Sequence, residues 1–202
     1  MILEPFGDAA WRLRLDERPD RCALLAALRR LPGVVDAVVT EEHALVTFEP
    51  GASPATSSLA GALDEAARAG QGASAPREHQ VRVRYDGADL AQVAALARMT
   101  PPEVVEAHAA ATYRVAAMGF QPGFGYLRGL DPRLHVPRLS TPRPHVPALS
   151  LGIAGPYAGI YPFASPGGWS LLGRVVGFAP FDARTGAALA LGDRVRFRPE
   201  GP

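Results

Sequence analysis

The segment at residues 119–126, Gly-Phe-Gln-Pro-Gly-Phe-Gly-Tyr, constrains the fold more than any other part of this 202-residue chain. Its three glycines permit backbone angles that other residues resist, and its proline fixes its own φ. Three large aromatic rings are attached to this backbone, which is more than a simple turn requires. The segment therefore predicts a shaped wall of a pocket or an interface, built from Phe120, Pro122, Gly123, Phe124 and Tyr126.

Composition and charge narrow the classes of partner and of chemistry. Apolar residues make up 48% of the chain, which is enough for one large core or two small ones. The formal net charge of +1 favours neither nucleic acid nor an acidic membrane as a partner. All 21 basic residues are arginine, so the chain can form neither a lysine Schiff base nor a Gly-Lys-Ser/Thr phosphate loop.

The cysteine and histidine content indicates no metal site and no disulfide. The spacing of the single cysteine and five histidines does not resemble that of metal ligands. Cys22 lies in a helical apolar pattern and is predicted to be a core residue. We expect a cytoplasmic protein, because the N-terminus shows no signal region and no apolar run approaches about 18 residues.

Residues 1–76 predict a small α+β module. Its expected elements are a strand at 10–15, a helix capped by Asp20, strands at 34–40 and 44–48, and a helix at 59–69. The Gly/Ser/Pro-rich segment 70–76 is the best linker in the sequence. With a further strand near 80–85, this order gives the module a ferredoxin-like character.

Residues 77–202 predict a larger, β-rich domain. A short helix is expected at 88–98, and Thr100 with Glu103 forms a capping box for a second helix. Beyond Tyr113, short apolar runs separated by Gly and Pro replace the helical pattern. They indicate a barrel or a sandwich with long loops.

Four arginines recur every five residues, at positions 128, 133, 138 and 143. This spacing fits neither one helix face nor one strand face, so separate surface arginines are expected. Arg138 and Arg143 each follow a proline and are candidates for bidentate anion binding. The alternative for both is a salt bridge that structures the loop.

Three further polar residues are candidates for the site. His145, in Pro-His-Val-Pro, and His108 are both candidate acids or bases near neutral pH, and His108 is also a candidate anion ligand. The alternative for His108 is a helix histidine bonded to a neighbouring backbone. Ser150 does not form a nucleophile elbow, because Pro156 would break the helix that such an elbow requires. Its hydroxyl is expected to bond a ligand or a loop backbone.

Aromatic residues also occupy two later Gly/Pro-rich loops. Gly-Ile-Tyr-Pro at 159–162 and Ser-Pro-Gly-Gly-Trp at 165–169 use the same ingredients as the first aromatic segment. These loops either close a hydrophobic core over the barrel end or line a binding surface. The residues concerned are Tyr161, Pro166, Gly168 and Trp169.

These motifs, in one order between about residue 79 and residue 198, resemble the family of the 5-oxoprolinase B subunit, also labelled KipI or allophanate hydrolase subunit 1. The series continues through Val-Pro-Ala-x-Ser, Gly-Ile-Ala-Gly and Gly-Asp-x-Val-x-Phe, and a weaker match covers the first 75 residues. The resemblance implies a cyclophilin-like barrel. It also adds Arg174, which matches the arginine of a family motif, to the candidate anion ligands.

The resemblance implies one component of an ATP-dependent complex that opens the 5-oxo-L-proline lactam to L-glutamate. A partner of the C-subunit type, and possibly one of the A-subunit type, would complete the site, and ATP would act at the level of the complex. The first alternative is a KipI-type regulator that binds and inhibits a sensor histidine kinase. The second is a relative of the urea carboxylase or allophanate hydrolase enzymes.

The chain departs from the family pattern at three places. Leu149 replaces a glycine in Val-Pro-Ala-Gly-Ser, Tyr157-Ala158 replaces Gln-Thr, and Val175-Val176 replaces Thr-Pro. A leucine does not cheaply adopt a positive φ. We expect Leu149 to narrow the pocket and to pack against Phe120, Tyr161 or Trp169.

Overall fold

The computed structural model describes residues 2–15, 20–52, 56–69 and 76–201. The chain divides into two compact units, Met1–Ala75 and Pro76–Pro202. Apart from Pro76, the predicted linker at 70–76 lies outside the described residues. No helix among the described residues is long and apolar enough to cross a membrane.

The first unit is a four-stranded antiparallel sheet with two helices. Its elements are β1 (Ile2–Pro5), β2 (Ala10–Arg14), α1 (Arg21–Arg29), β3 (Val34–Val39), β4 (His43–Phe48) and α2 (Thr56–Ala69). Asp20 caps α1 as predicted, since its carboxylate accepts a hydrogen bond from the N–H of Ala23 at 2.7 Å. The predicted β3–β4 hairpin is confirmed, and Val46 and Phe48 on β4 are buried.

The strand order in the first unit is β1-β2-β4-β3. The α+β fold class is confirmed, but the strand predicted near 80–85 does not complete this sheet, because it pairs within the second unit. The strand that pairs with β2 at the edge of this sheet is β1 instead. The prediction for Cys22 is wrong, since its side chain lies on the exposed side of α1 while Leu24 and Leu28 face the core.

The second unit contains a closed seven-stranded barrel, which confirms the predicted barrel. Its helices are α3 (Leu90–Ala97) and α4 (Pro101–Ala110), with a 3₁₀ turn at Pro132–Leu134. The strands are β5 (Glu78–Arg84), β6 (Tyr113–Met118), β7 (Gly125–Arg128), β8 (Arg143–Val146), β9 (Ser150–Ala154), β10 (Tyr157–Ile160), β11 (Ser165–Gly167), β12 (Ser170–Val176), β13 (Phe181–Asp182), β14 (Gly186–Ala187) and β15 (Arg194–Pro199). Barrel neighbours follow the order β10-β7-β6-β15-β5-β12-β9, and β8 pairs with β11 outside the barrel.

Alternating residues fill the barrel interior. On β5, Val81 and Val83 are fully buried while their neighbours face outward. On β15, Val195 and Phe197 are fully buried in the same alternating pattern. These two strands are the only parallel pair among the described barrel strands. Helix α4 begins at the predicted capping box, where the Glu103 carboxylate accepts from the N–H of Thr100 at 2.7 Å.

A buried carboxylate fastens the start of the barrel unit to its last strand. Asp193 is 4% exposed and accepts hydrogen bonds from Arg77 and from the N–H of Ala190, and it bonds His79 at 2.9 Å. Burial alone would raise the pKa of Asp193, but the bonds from His79, Ala190 and Arg77 together hold it below its usual value.

Candidate functional site

Five aromatic residues from the predicted loops, together with Tyr157, meet at one place in the barrel unit and form the aromatic cluster. Phe124 lies at its centre, with its ring 5.5 Å from that of Trp169 and 5.6 Å from that of Tyr161, both edge to face. These three residues are buried, together with Val146 and Leu171. The full cluster comprises Phe120, Phe124, Tyr126, Tyr157, Tyr161 and Trp169.

Phe120 is the exposed member of the aromatic cluster. Its side chain is 59% exposed, and its φ of 75° is one that non-glycine residues seldom adopt. Edge-to-face contacts with Phe124 and Tyr161 hold the ring in place. A large ring kept in solvent on strained backbone is a common feature of binding surfaces.

Two glycines let the surrounding backbone approach the cluster. A Cβ at Gly159 would lie 2.7 Å from the Phe124 ring and 3.0 Å from the Trp169 ring, so only glycine fits beside them. Gly123 has a φ of 82°, and a Cβ there would meet the Pro180 carbonyl at 2.5 Å. These two glycines therefore permit close packing at and beside the cluster.

Arg143 reaches the cluster and is oriented by a buried carboxylate. Its guanidinium bonds Asp89 at 2.5 Å, and the other Asp89 oxygen accepts from the N–H of Leu171 at 2.7 Å. Asp89 is 4% exposed, whereas 28% of the Arg143 side chain is exposed. The salt-bridge alternative for Arg143 is therefore what the structure contains. Sequence reasoning missed Asp89, because 54 residues separate it from Arg143.

Arg138 differs from its neighbours in the arginine series. Arg133 is paired with Asp131 at 2.7 Å, whereas no carboxylate among the described residues pairs with the exposed Arg138. Both Arg138 and Arg143 act electrostatically on the phenol of Tyr161. Burial raises the pKa of Tyr161 overall, while these two cations and a backbone hydrogen bond at Trp169 partly oppose that rise.

The remaining candidates near the cluster are distributed between its surface and its interior. His145 and Pro166 are exposed on the paired strands β8 and β11, and Gly168 accepts a hydrogen bond from the N–H of Leu139 at 2.8 Å. Ser150 is 5% exposed at the start of β9, and its carbonyl accepts from the N–H of Tyr161. No helix follows Ser150, which agrees with the exclusion of a nucleophile elbow.

Two predicted anion ligands lie elsewhere in the barrel unit. His108 is fully buried on α4, between the rings of Tyr85, Tyr113 and Phe197. Burial lowers the pKa of His108 to about 3, so the ring is neutral at physiological pH and offers an anion no charge. Arg174 points outward from β12, directly opposite Arg84 of β5.

The family departures lie mostly in packed positions. Ala158 and Val175 are buried in the barrel core, and Tyr157 lies against Tyr126 with Arg128 over its ring. Leu149 adopts a φ of 64°, so it accepts the backbone strain that a glycine would avoid. Its half-buried side chain packs against the barrel core, whereas Tyr161 and Trp169 belong to the separate aromatic cluster. The expected packing against those rings is therefore wrong.

The position of Leu149 predicts different outcomes for two substitutions. Leu149→Gly loses half-buried apolar surface but relieves the positive φ, so the free energy of unfolding should change by less than about 1 kcal/mol. Leu149→Ala loses similar surface and keeps the strain, so it should destabilise the protein by about 1–2 kcal/mol. Urea denaturation of both variants measures the difference. Equal losses would show that φ at this position carries no strain.

An apolar groove of about 620 Å³ lies on the outer side of α4, lined by Leu90, Pro101, Pro102, Val105, Glu106, Ala109, Ala110 and Pro199. None of the predicted site residues lines it. Glu106 is its only charged lining residue, so the groove lacks the convergent polar groups of a catalytic site. Among the described residues, no group of three His, Cys, Asp or Glu side chains is placed to hold a metal ion.

Comparisons with known proteins agree with the motifs. The family model described as carboxyltransferase domain, subdomain C and D, matches residues 1–189. A protein of Escherichia coli O157:H7, named as the B subunit of 5-oxoprolinase, is 46% identical over 60% of this chain and 57% of its own length. A protein of the same name from Haemophilus influenzae is 47% identical over 57% of this chain and 54% of its own length. The aligned segment thus spans about half the length of these curated relatives.

Solved structures share the fold. The crystal structure of TTHA0988 superposes with a TM-score of 0.80 and 37% identity, over 96% of this chain and 40% of that one. PH0987 from Pyrococcus horikoshii gives a TM-score of 0.58 and 31% identity, over 98% of this chain and 97% of its own. The urea amidolyase of K. lactis gives a TM-score of 0.72 at 18% identity, over 98% of this chain and 15% of its own, and indicates the fold alone.

Proposed function

Because the chain belongs to the family of the carboxyltransferase domain, subdomains C and D, we propose that it is the B subunit of a cytoplasmic, ATP-dependent 5-oxoprolinase. The observation that carries the proposal is the identity of 46% and 47% to two proteins that bear this subunit name. The complex opens the 5-oxo-L-proline lactam to L-glutamate. The exposed surface of the aromatic cluster, with Arg138 and His145, forms this chain's share of the site.

The proposed chemistry is activation of an amide by phosphate, followed by hydrolysis. The lactam oxygen attacks the terminal phosphorus of ATP and ADP leaves. Water then adds to the activated carbon and the C–N bond breaks, which leaves the acyl phosphate of glutamate. A second water hydrolyses this acyl phosphate and releases phosphate and the free carboxylate. In this scheme Arg138 binds an anionic oxygen of substrate or phosphate, and Arg143, held by Asp89, supplies a second positive charge beside it. His145 carries the proton to the departing nitrogen.

In the proposed complex, the partner subunits bind ATP. This chain has no lysine and therefore no phosphate loop. The occurrence of the same fold as 40% of TTHA0988 and 15% of the urea amidolyase supports a unit that works beside further polypeptide. The 5-oxoprolinase C subunit, and possibly the A subunit, supply the remaining groups of the joint site.

Reconstitution tests the proposal. We expect no phosphate release from ATP and 5-oxo-L-proline by the purified chain, and turnover once the C-subunit and A-subunit homologues of the same organism are added. Arg138→Gln should lower kcat/KM of the complex about 10- to 100-fold, which corresponds to the loss of one charge-assisted hydrogen bond. Arg133→Gln is the matched control, because Arg133 is bound to Asp131. Turnover by the chain alone, or equal activity of both variants, would contradict the proposal.

The exposed aromatic rings favour one second candidate, a regulator of a sensor histidine kinase. Phe120 is 59% exposed and Phe163 is 44% exposed, and such rings dominate the energetics of protein interfaces. Under this alternative the chain inhibits autophosphorylation of a kinase encoded beside it, and Phe120→Ala abolishes the inhibition. Inhibition without any 5-oxoprolinase turnover in the reconstituted mixture would establish this second candidate instead.

A further inference from the structure

One outer face of the barrel is strongly basic, although the chain as a whole has a formal net charge of only +1. On their outward positions, three adjacent strands present exposed arginines: one on β12, two on β5 and three on β15. These residues form the basic face, which comprises Arg82, Arg84, Arg174, Arg194, Arg196 and Arg198. Two glutamates accompany them, Glu78 and Glu200, so four positive charges are in excess and the rest of the chain is net negative.

Strand register brings arginines of the basic face directly opposite one another. Arg174 pairs in register with Arg84, and Arg198 pairs with Arg82. Like charges in directly opposed positions of a sheet destabilise it. The intervening residues of β5 and β15 are buried, so the outward direction of these side chains is fixed by the barrel core.

Carboxylates neutralise only part of this charge. Glu200 binds Arg84 at 2.8 Å, and Glu78 lies 3.8 Å from Arg194. No carboxylate among the described residues pairs with the other four members, Arg82, Arg174, Arg196 and Arg198. A sequence selected only for stability would place opposite charges or neutral residues here, so the repulsion indicates a surface that is neutralised by binding.

The chemistry of the face selects its occupant. No aromatic side chain occupies an outward position of these three strands among the described residues, so the face offers no stacking platform for single-stranded nucleic acid. Neighbouring strands place the backbone positions that carry these arginines about 4.8 Å apart, and alternate residues of one strand place them about 6.7 Å apart. Carboxylates three or four residues apart on a helix have Cβ atoms about 5–6 Å apart, which matches this grid.

We propose that the basic face docks an acidic helix on the surface of a partner protein. Its guanidinium groups bind the Glu and Asp carboxylates of the helix, and bidentate geometry favours arginine for this purpose. The identity of the partner rests on the proposed function, under which the helix belongs to the 5-oxoprolinase C subunit. The basic face is formed by outward residues of the barrel wall and shares no residue with the aromatic cluster.

Neutralisation of the face tests the inference. The basic-face variant carries Arg82→Gln, Arg174→Gln, Arg196→Gln and Arg198→Gln. The control variant carries the same number of Arg→Gln changes at exposed positions elsewhere, namely Arg14, Arg29, Arg68 and Arg184. Binding to the C-subunit homologue of the same organism is measured by calorimetry at several salt concentrations. We expect the basic-face variant to bind at least about ten-fold more weakly and with a flatter salt dependence, and the control to bind within about two-fold of the wild type.

A second probe separates this inference from the proposed function. A labelled helical peptide with glutamate at every third or fourth position is titrated by fluorescence anisotropy, beside a DNA duplex and vesicles of phosphatidylcholine with phosphatidylserine. Peptide binding that only the basic-face variant loses supports the surface even if the C-subunit homologue does not bind the wild type. Equal losses in both variants, no peptide binding by the wild type, or tighter binding of DNA or vesicles through the same arginines would overturn it. Unchanged binding of the C-subunit homologue by the basic-face variant would also overturn it and leave the proposed function intact.

Discussion

Acidification from about pH 6.5 to about pH 3.5 should reduce the free energy of unfolding by about 4 kcal/mol more in the wild-type protein than in His108→Phe. His108 is fully buried, and burial lowers its pKa from 6.5 to about 3. Its Nδ1 bonds the Tyr85 hydroxyl at 2.8 Å, while its Nε2 has no partner. The folded protein therefore does not accept a proton that the unfolded chain accepts readily.

The sign of this effect follows from proton linkage. Between the two pKa values of His108 the unfolded state binds more protons, so stability is complete above about pH 6.5 and falls by about 1.4 kcal/mol per pH unit below it. Phenylalanine fills the same space and does not titrate. Urea denaturation of both proteins across this range gives the difference, in which the contributions of the carboxylates cancel. Parallel pH profiles would mean that His108 is accessible to protons in the folded state.

Trp169→Ala should destabilise the protein by about 3–5 kcal/mol, because it empties the volume of a buried ring beside Phe124. Trp169 is only 6% exposed, so removal of its ring leaves a cavity among the buried residues of the aromatic cluster. The expected decrease in melting temperature is roughly 10–20 °C. Differential scanning calorimetry of the two proteins measures it.

Phe120→Ala is the matched comparison for Trp169→Ala. Phe120 belongs to the same aromatic cluster but is 59% exposed, so its truncation should cost less than about 1 kcal/mol of stability. Under the proposed function it weakens assembly with the partner instead, by about 2 kcal/mol or more if the ring is a hot spot. Similar melting temperatures for the two variants would contradict the separation between a buried support and an exposed contact.

The aromatic cluster thus has a buried part that supports the fold and an exposed part that is available for contact. Buried Phe124, Tyr161 and Trp169 make a rigid base, and glycine at position 159 is required for their close packing. Phe120 extends from this base into solvent at an unfavourable φ. An interface residue that is already held in place loses little side-chain freedom on binding, which favours affinity.

Several parts of the structure could be predicted because their causes are local. The caps of α1 and α4, the β3–β4 hairpin and the end of helical structure near Tyr113 depend on interactions within a few residues. Residues 119–126 were predicted to form a shaped wall, and the two later loops either to close a core or to line a binding surface. The structure places rings from all three loops in one cluster. The helical pattern around Cys22 was correct as well, but Cys22 itself lies on the exposed side of α1.

The sequence by itself therefore determined the family and the α+β class, and it identified the three Gly/Pro-rich aromatic loops. Only the tertiary structure decided which charged side chains are paired with an opposite charge and which are not. Asp89 holds Arg143 across 54 residues, and strand pairing sets Arg174 beside Arg84 on the outer face of the barrel. The physical reason is that alternation fixes which side of a strand a residue faces, whereas its neighbours there are supplied by strands distant in sequence.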